Sequence, residues 1–213
     1  MLYTTTIIVE TICLIISLVF LNNEKSWWKY FKWFLLLTVI TEVCAYYWYF
    51  VLGKNNHWIF NFYLPIEVAF IFVVLSKFLK VYSRRDLIIK FIVFLISYII
   101  ESFVNHFREY SSVSNDIASV LIIIECCIYY YLLLRKSEYI NITSDSSFWI
   151  VSGLFLFYFG STASNLFQNQ LVRLNAKTIV PVRYIIFLVL NFIMYACFSY
   201  AFICRSRHKI SSG

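Results

Sequence analysis

Five glutamates lie inside long apolar segments of this sequence. They are Glu10, Glu42, Glu67, Glu101 and Glu125. A carboxylate can bind a cation, pass on a proton, or work with a second carboxylate as acid and base. A charged side chain near the centre of a membrane helix costs about 2.5 to 3.5 kcal/mol, so such groups must be paired, neutral or hydrated. We therefore predict that all five side chains face the inside of the protein.

The stretch NFYLPIEVAF, residues 61–70, places further polar groups beside one of these glutamates. The ring of Pro65 blocks the hydrogen bond that the carbonyl of Asn61 would accept, so this carbonyl needs another donor. Asn61, Tyr63 and Glu67 then present an amide, a phenol and a carboxyl on the outer half of one helix. An ordinary proline kink is the alternative explanation, because kinked backbone is tolerated wherever it is buried in protein.

The elements that must position these residues are membrane helices. Of 213 residues, 62% are hydrophobic, 21% are aromatic and only 14% are charged, and the mean hydropathy is +0.76. In soluble domains about half of the residues are apolar and about a quarter are charged. The apolar runs are continuous and do not alternate with a period of two, which favours helices over barrel strands.

We predict an all-α, polytopic membrane bundle of seven helices. The predicted spans are 3–21, 31–52, 58–76, 87–106, 115–134, 147–167 and 182–204. Short links leave no room for a soluble domain, so residues 1–210 form one transmembrane domain. The first span lacks a basic leader and a small-residue cleavage site, and we interpret it as a retained helix. Residues 211–213 resemble a cloning remnant and are excluded.

Basic residues predict the orientation of the bundle. The predicted outer links and helix ends hold Lys54, Arg108, Arg173, Lys177 and Arg183, and the other 13 of the 18 lysines and arginines lie on the opposite side. The positive-inside rule then places the N-terminus outside and the C-terminus in the cytoplasm of a bacterial inner membrane. At about 1.5 Å per residue, all five carboxyl groups lie about 8 to 15 Å below the outer surface.

The formal net charge of +7 is mainly a consequence of this topology. The basic residues are spread over four short cytoplasmic segments without an aromatic platform, so we expect anionic lipid rather than nucleic acid as their partner. Lys80, Arg84 and Arg85 form the densest group. We predict that these three contact lipid or a cytoplasmic signalling or effector protein.

Catalytic and metal-binding motifs find little support in the sequence. Three histidines cannot build a His-rich zinc site, and no Ser/His/Asp or Cys/His arrangement has matching depth. The six cysteines fall within predicted spans and match no zinc spacing. We therefore expect no cofactor, no metal and no catalytic residue. A lipid-modifying enzyme that uses two carboxylates is the least favoured alternative.

The sixth predicted span carries a surface of small residues. Its members are Gly153, Gly160, Ser161, Ala163 and Ser164. Small residues allow the backbones of membrane helices to approach closely. We predict a close helix contact here, either within the chain or between two copies in a homo-oligomer.

Several segments resemble a group of small seven-helix integral membrane proteins common in Bacteroidota. The resemblance rests on FNFYLPIEVAFIF at 60–72, FWIVSGLFLFYFG at 148–160, LVLNFIMYACF at 188–198 and Glu42 in the preceding helix. Its distinctive positions are Glu42, Tyr63, Glu67, Phe148, Trp149, Gly160 and Asn191. The resemblance implies a seven-span topology and a joint role for Glu42 and Glu67, and it implies no particular activity.

Two functions fit these observations best. The first is a non-enzymatic sensing or partner-binding module with an outward-facing pocket for a small cationic or amphipathic ligand. The alternative is a channel or transporter for protons or monovalent cations, which could be oligomeric. For the pathway, Glu42, Glu67 and Glu125 are predicted to form the deepest site, with Glu10 and Glu101 as a vestibule and with Asn61 and Tyr63 as neutral ligands. The same residues are the candidates for ligand binding in the pocket. The scarcity of polar residues in the cytoplasmic half favours the closed pocket over a pathway.

Overall fold

The computed structural model describes residues 2–22, 24–79, 84–105, 109–135, 141–168, 170–171 and 182–211. All regular secondary structure in these segments is helical, which confirms the all-α prediction. The long helices are α1 (Leu2–Phe20), α2 (Tyr30–Phe50), α3 (His57–Phe78), α4 (Arg84–Val104), α5 (Ser112–Leu134), α6 (Ser146–Leu166) and α7 (Val182–Ser211). Short 3-10 helices at Trp27–Lys29 and Ile142–Ser144 precede α2 and α6.

Five segments of the described chain are long and apolar enough to cross a membrane. They are Trp27–Phe50, His57–Phe78, Ser112–Leu134, Ser146–Leu166 and Val182–Arg207. The apolar part of α1, Thr4–Phe20, is shorter. Helix α4 is less apolar, because it begins with Arg84, Arg85 and Asp86 and also carries Lys90 and Glu101. The chain is therefore a helical membrane protein with at least five candidate spans among the described residues.

Six of the long helices form a closed ring, and α4 lies outside it. Going around the ring, α1 packs against α2, α2 against α3, α3 against α5, α5 against α6, α6 against α7, and α7 against α1. Helix α4 packs against both α3 and α5. This arrangement brings α1, α2 and α3, which carry Glu10, Glu42 and Glu67, next to one another.

Helix α3 continues through Pro65 without a break. Because proline has no N–H, the carbonyl of Asn61 loses its usual donor within the helix. The hydroxyl of Tyr98 on α4 donates to this carbonyl over 2.8 Å. The proline thus creates an acceptor on α3 that α4 uses for docking.

The small-residue surface of α6 packs against α7. A Cβ atom added at Gly153 would lie 3.0 Å from Cβ of Cys197 and 3.2 Å from the carbonyl oxygen of Met194. At Gly160 the added atom would lie 2.6 Å from a terminal methyl carbon of Leu190. The predicted close contact is therefore made within the chain, and it fixes the position of α7 and of Tyr195 next to Met194.

Candidate functional site

Three of the five glutamates, from α1, α2 and α3, lie near one another. Glu10 on α1 interacts electrostatically with both Glu42 on α2 and Glu67 on α3, and Glu42 interacts with Glu67. Glu10 is only 2% exposed. We refer to Glu10, Glu42 and Glu67 as the carboxylate triad. Glu42 and Glu67 thus lie near each other, with Glu10 beside them, and their joint role stays a prediction.

Hydroxyl groups from the other ring helices contact the triad. Tyr158 on α6 donates a hydrogen bond to Oε1 of Glu67 over 3.0 Å, and the side chain of Tyr195 on α7 lies near that of Glu10. Oε2 of Glu10 is buried and has no hydrogen-bond partner among the described residues. The triad is thus held by a hydrogen bond from Tyr158, while one carboxylate oxygen of Glu10 remains free to accept a donor.

Tyr63 lies beside the triad and also joins α3 to α2. Its hydroxyl is 2.6 Å from Oγ1 of Thr38, and Thr38 itself donates to the carbonyl oxygen of Phe34 over 3.0 Å. Since the single hydroxyl proton of Thr38 is used in that bond, the phenol of Tyr63 donates to Thr38. Tyr63 interacts electrostatically with all three members of the triad.

A narrow cavity begins at Glu67 and follows α3 toward its C-terminal end. Its volume is about 20 Å³, which is enough for a water molecule. The lining includes Glu67, Tyr195, Ile71 and Val74. The cavity therefore offers polar groups where it meets Glu67 and Tyr195, and apolar groups elsewhere.

Aromatic rings close the cavity at the side of the α1–α2 link. Phe34 stacks on Phe70 with ring centres 4.1 Å apart. Phe31 meets Phe70 edge to face at 5.2 Å and Phe202 at 5.4 Å. We call Phe31, Phe34, Phe70 and Phe202 the aromatic plug. The plug lies between the triad and the basic residues at the start of α2.

Glu101 serves the N-terminus of α5 instead of the triad. Its carboxylate accepts hydrogen bonds from the backbone N–H of Val113 over 3.0 Å and from the N–H and hydroxyl of Ser114 over 2.7 and 2.5 Å. The first N–H groups of a helix lack partners within the helix, and a negative charge there is stabilised by the helix dipole. Glu101 thus acts as a capping group supplied by the preceding helix.

Glu125 is also engaged away from the triad. It forms an ion pair with Lys90 on α4, and Lys90 also pairs with Asp86 over 2.8 Å. The side chain of Glu125 is only 2% exposed and that of Lys90 is 17% exposed. The structure thus places Glu125 and Glu101 apart from the triad and groups Glu10 with Glu42 and Glu67. The predicted order of depth stays a prediction.

Asn61 is bound to the α4–α5 link. Its Nδ2 donates to the carbonyl oxygen of Glu109 over 2.8 Å, and its Oδ1 accepts from the N–H of Ser111 over 3.0 Å. Both ends of the amide are thus engaged outside the triad. The structure assigns Asn61 to the support of this link, whereas Tyr63 stays next to Glu67 as expected.

The predicted basic contact lies mostly beyond what the structure describes. Lys80 is outside the described residues, only the backbone of Arg84 is described, and Arg85 is exposed. Arg183, near the start of α7, donates to Oδ1 of Asn165 over 2.7 Å.

Three residues beside the glutamates were not predicted from the sequence. They are Tyr158, Tyr195 and Lys90. Tyrosines of membrane helices are enriched at the interfaces, whereas Tyr158 and Tyr195 lie far from the ends of their helices. A buried tyrosine hydroxyl usually finds a hydrogen-bond partner. The position of these tyrosines in the middle of their spans could therefore have indicated that they are partners of the glutamates.

Chemically, the triad is a group of three carboxyl groups with a tyrosine donor and a free acceptor oxygen. Within the described part of the chain, no three His, Cys, Asp or Glu residues are arranged to hold a metal ion. Comparison of the chain with protein-family models, with curated proteins and with solved structures found no match.

Proposed function

We propose that this chain is a seven-span protein of a bacterial inner membrane, with its N-terminus outside, that binds a monovalent cationic group at the carboxylate triad. In this proposal α1 and α4 also cross the membrane, α4 being stabilised by its polar contacts with α3 and α5. The role is sensing or binding rather than catalysis. The basic cytoplasmic links, including Lys80, Arg84 and Arg85, then contact anionic lipid or a signalling or effector protein.

The observation that carries the proposal is the distribution of partners among the five glutamates. Glu101 caps α5 and Glu125 pairs with Lys90, so both have structural tasks. In the described segments no Lys, Arg or His side chain forms an ion pair with Glu10, Glu42 or Glu67. Three neighbouring desolvated carboxylates repel one another, and a proton or a bound cation offsets this repulsion.

The aromatic plug favours a closed binding site over an open pathway. A conducted ion must find polar groups or water along its whole route. Beyond Glu67 the cavity is lined mainly by apolar residues such as Ile71, Val74 and Phe70, and Phe31 packs against Phe202 behind it. A cation that reaches the triad is therefore retained there, and its binding is expected to change how α1, α2 and α3 pack.

Binding is tested by thermal unfolding of the purified protein in lipid nanodiscs. Na⁺, K⁺ and methylammonium are titrated at constant ionic strength against the bulky cation N-methylglucamine. A ligand that binds only the folded protein stabilises it in a saturable way. We expect saturable stabilisation by at least one cation, and its loss in Glu10→Gln, Glu42→Gln and Glu67→Gln. Glu101→Gln is the matched control, because it alters an intramembrane glutamate outside the triad. Equal cation responses in all four variants would refute the proposal.

A gated channel for protons or monovalent cations is the second candidate. The observation in its favour is that the cavity continues from Glu67 past Ile71 to Val74 along α3. Flux from proteoliposomes loaded with a pH dye or a potassium-sensitive dye separates the two functions. The binding module gives no flux under any gradient. Flux that disappears in the Glu42→Gln/Glu67→Gln double variant would establish the channel instead.

A further inference from the structure

A groove on the outside of the helix ring runs between α1 and α7 beside the triad. Its volume is about 340 Å³, and Ile12, Phe192, Ala196 and Ile203 are among the residues that line it. Ile12 is 51% exposed and Phe192 is 60% exposed, so the groove opens to the outside of the ring. Along α7 the groove is roughly 16 Å long, from Phe192 to Ile203. Its length and apolar lining fit a hydrocarbon chain.

Tyr195 separates this groove from the interior of the ring. The residue lines both the groove and the cavity at Glu67, and its side chain lies near that of Glu10. Glu10 is 2% exposed, and its Oε2 is a buried acceptor without a partner among the described residues. An apolar groove and a residue with an unsatisfied carboxylate oxygen thus both lie next to Tyr195.

We infer that the ligand of the triad is an amphipathic amine, with an ammonium head on a single apolar chain, which arrives from the bilayer. This inference rests on the proposed binding function and names the class of its ligand. The chain lies in the groove between α1 and α7. The ammonium head reaches Glu10 after Tyr195 turns aside, and its N–H groups satisfy the free carboxylate oxygen.

The charge of the triad selects the head group. An ammonium is attracted by the three carboxylates and by the faces of aromatic rings in the cavity. A phosphate or a carboxylate head would be repelled by the same groups. A neutral alcohol would donate a hydrogen bond to Glu10 without offsetting the negative charge.

The apolar chain increases occupancy by concentrating the ligand in the membrane. Lipid and groove are both apolar, so the transfer of a chain from one to the other gains little from the hydrophobic effect. The groove contributes shape and packing contacts. A bulky side chain in the groove should therefore weaken binding of the long-chain amine and leave a chainless ammonium unaffected.

The test measures binding of radiolabelled dodecylamine to the protein in nanodiscs of zwitterionic lipid. Ala196 lies on the exposed wall of the groove, so Ala196→Phe fills the groove without disturbing the core. We expect Ala196→Phe to weaken dodecylamine binding about tenfold or more. The stabilisation by methylammonium should not change. Val189→Phe, at a 49% exposed position of α7 that does not line the groove, is the control and should bind dodecylamine like the unaltered protein.

The remaining outcomes separate the two proposals. If Ala196→Phe binds dodecylamine like the unaltered protein and methylammonium still stabilises the fold, the apolar chain does not lie in the groove. The triad then remains a cation site. If unlabelled dodecanol displaces radiolabelled dodecylamine as effectively as unlabelled dodecylamine does, the site does not require an ammonium head and the inferred ligand class is wrong. If neither methylammonium nor dodecylamine binds, both the proposed function and the ligand class are refuted.

Discussion

The phenol of Tyr158 donates a hydrogen bond to Glu67 over 3.0 Å, and this bond joins α6 to α3 across the interior of the ring. Tyr158 is only 3% exposed, so bulk solvent does not reach this bond. Glu67 also faces Glu42 and Glu10. The hydroxyl of Tyr158 therefore stabilises the charged form of the carboxylate that the cation requires.

Removal of that hydroxyl should weaken cation binding. A hydrogen bond to a charged group contributes about 1.5 to 3 kcal/mol, so Tyr158→Phe should lower the cation affinity about tenfold or more. The affinity is obtained from the unfolding titration in nanodiscs. Tyr130→Phe is the matched control, because the hydroxyl of Tyr130 donates to Ser152 over 3.0 Å without contacting the triad. Equal cation affinities in Tyr158→Phe and Tyr130→Phe would show that Tyr158 is not part of the cation site.

The contact between Tyr98 and the carbonyl of Asn61 should depend on Pro65. Tyr98→Phe leaves this carbonyl without a donor, at an expected cost of about 1 to 3 kcal/mol. Pro65→Ala restores an N–H that can donate to the same carbonyl within α3. In a double-mutant cycle, Tyr98→Phe should therefore cost less in the Pro65→Ala background. Additive free energies of unfolding would show that the two residues act independently.

Much of the fold could be predicted from sequence, because the apolar runs and their polar links are a strong signal. The predicted span 58–76 lies within α3 (His57–Phe78), and the predicted span 147–167 nearly coincides with α6 (Ser146–Leu166). A close helix contact of α6 was predictable as well, because Gly153 and Gly160 allow close approach to a neighbouring helix, but the sequence did not identify α7 as the partner. The seven-span topology and the orientation remain predictions.

The grouping of the glutamates could be predicted only in part. Depth along a span follows from the sequence, but the direction in which a side chain points around the ring depends on helix packing. Glu125 has a suitable depth, yet it faces α4. Its partner is Lys90, because α4 and α5 pack antiparallel to each other. The Lys90–Glu125 pair lies about three helical turns from the Glu101–Ser114 contact on both α4 and α5. Lys90 was assigned to a cytoplasmic link, so this pair was missed.

Removal of one partner of the Lys90–Glu125 pair should destabilise the protein more than replacement of both partners by apolar residues. Loss of one partner leaves a buried charge uncompensated, and Lys90→Met should therefore destabilise the protein by about 3 to 5 kcal/mol. The double variant Lys90→Met/Glu125→Met should be more stable than Lys90→Met alone. Unfolding in mixed detergent micelles measures both values. A double variant that is less stable than Lys90→Met would contradict a structural role for the pair.

Acid should weaken the contact between the α1–α2 link and α7. Burial alone would raise the pKa of Glu24, but hydrogen bonds from Ser26 and Arg205 and the charge of Arg205 outweigh burial and hold the pKa below its ordinary value of 4.5. Since the pKa is lower in the folded state, Glu24 stabilises the fold fully above pH 4.5, and this contribution disappears as the pH falls through the folded pKa.

The variant Glu24→Gln tests this pH dependence. The free energy of unfolding is measured as a function of pH for the unaltered protein and the variant. The unaltered protein should be more stable above pH 4.5, and the difference should shrink as the pH is lowered further. Arg205→Gln should likewise reduce the loss of unfolding free energy at acid pH, because Arg205 lies 3.4 Å from Glu24. A difference that grows toward acid would show the opposite sign of linkage.

The two glycines of α6 should respond differently to alanine. At Gly153 the new Cβ meets Cβ of Cys197 and backbone atoms of Met194, which cannot move without shifting α7. At Gly160 it meets the flexible end of Leu190. Gly153→Ala should therefore destabilise the protein by about 1 to 3 kcal/mol and Gly160→Ala by less. Thermal unfolding compares the two variants directly, and a larger loss for Gly160→Ala would contradict the packing described for α6 and α7.

Infrared difference spectroscopy tests most directly whether the triad binds a cation as one site. Spectra of the protein in membranes are recorded with and without a saturating concentration of the stabilising cation, and the carboxyl bands report the glutamates themselves. We predict a cation-induced carboxyl signal that is altered in Glu10→Gln, Glu42→Gln and Glu67→Gln and retained in Glu101→Gln. A spectrum without carboxyl changes, or one that is identical in all four variants, would contradict cation binding at the triad.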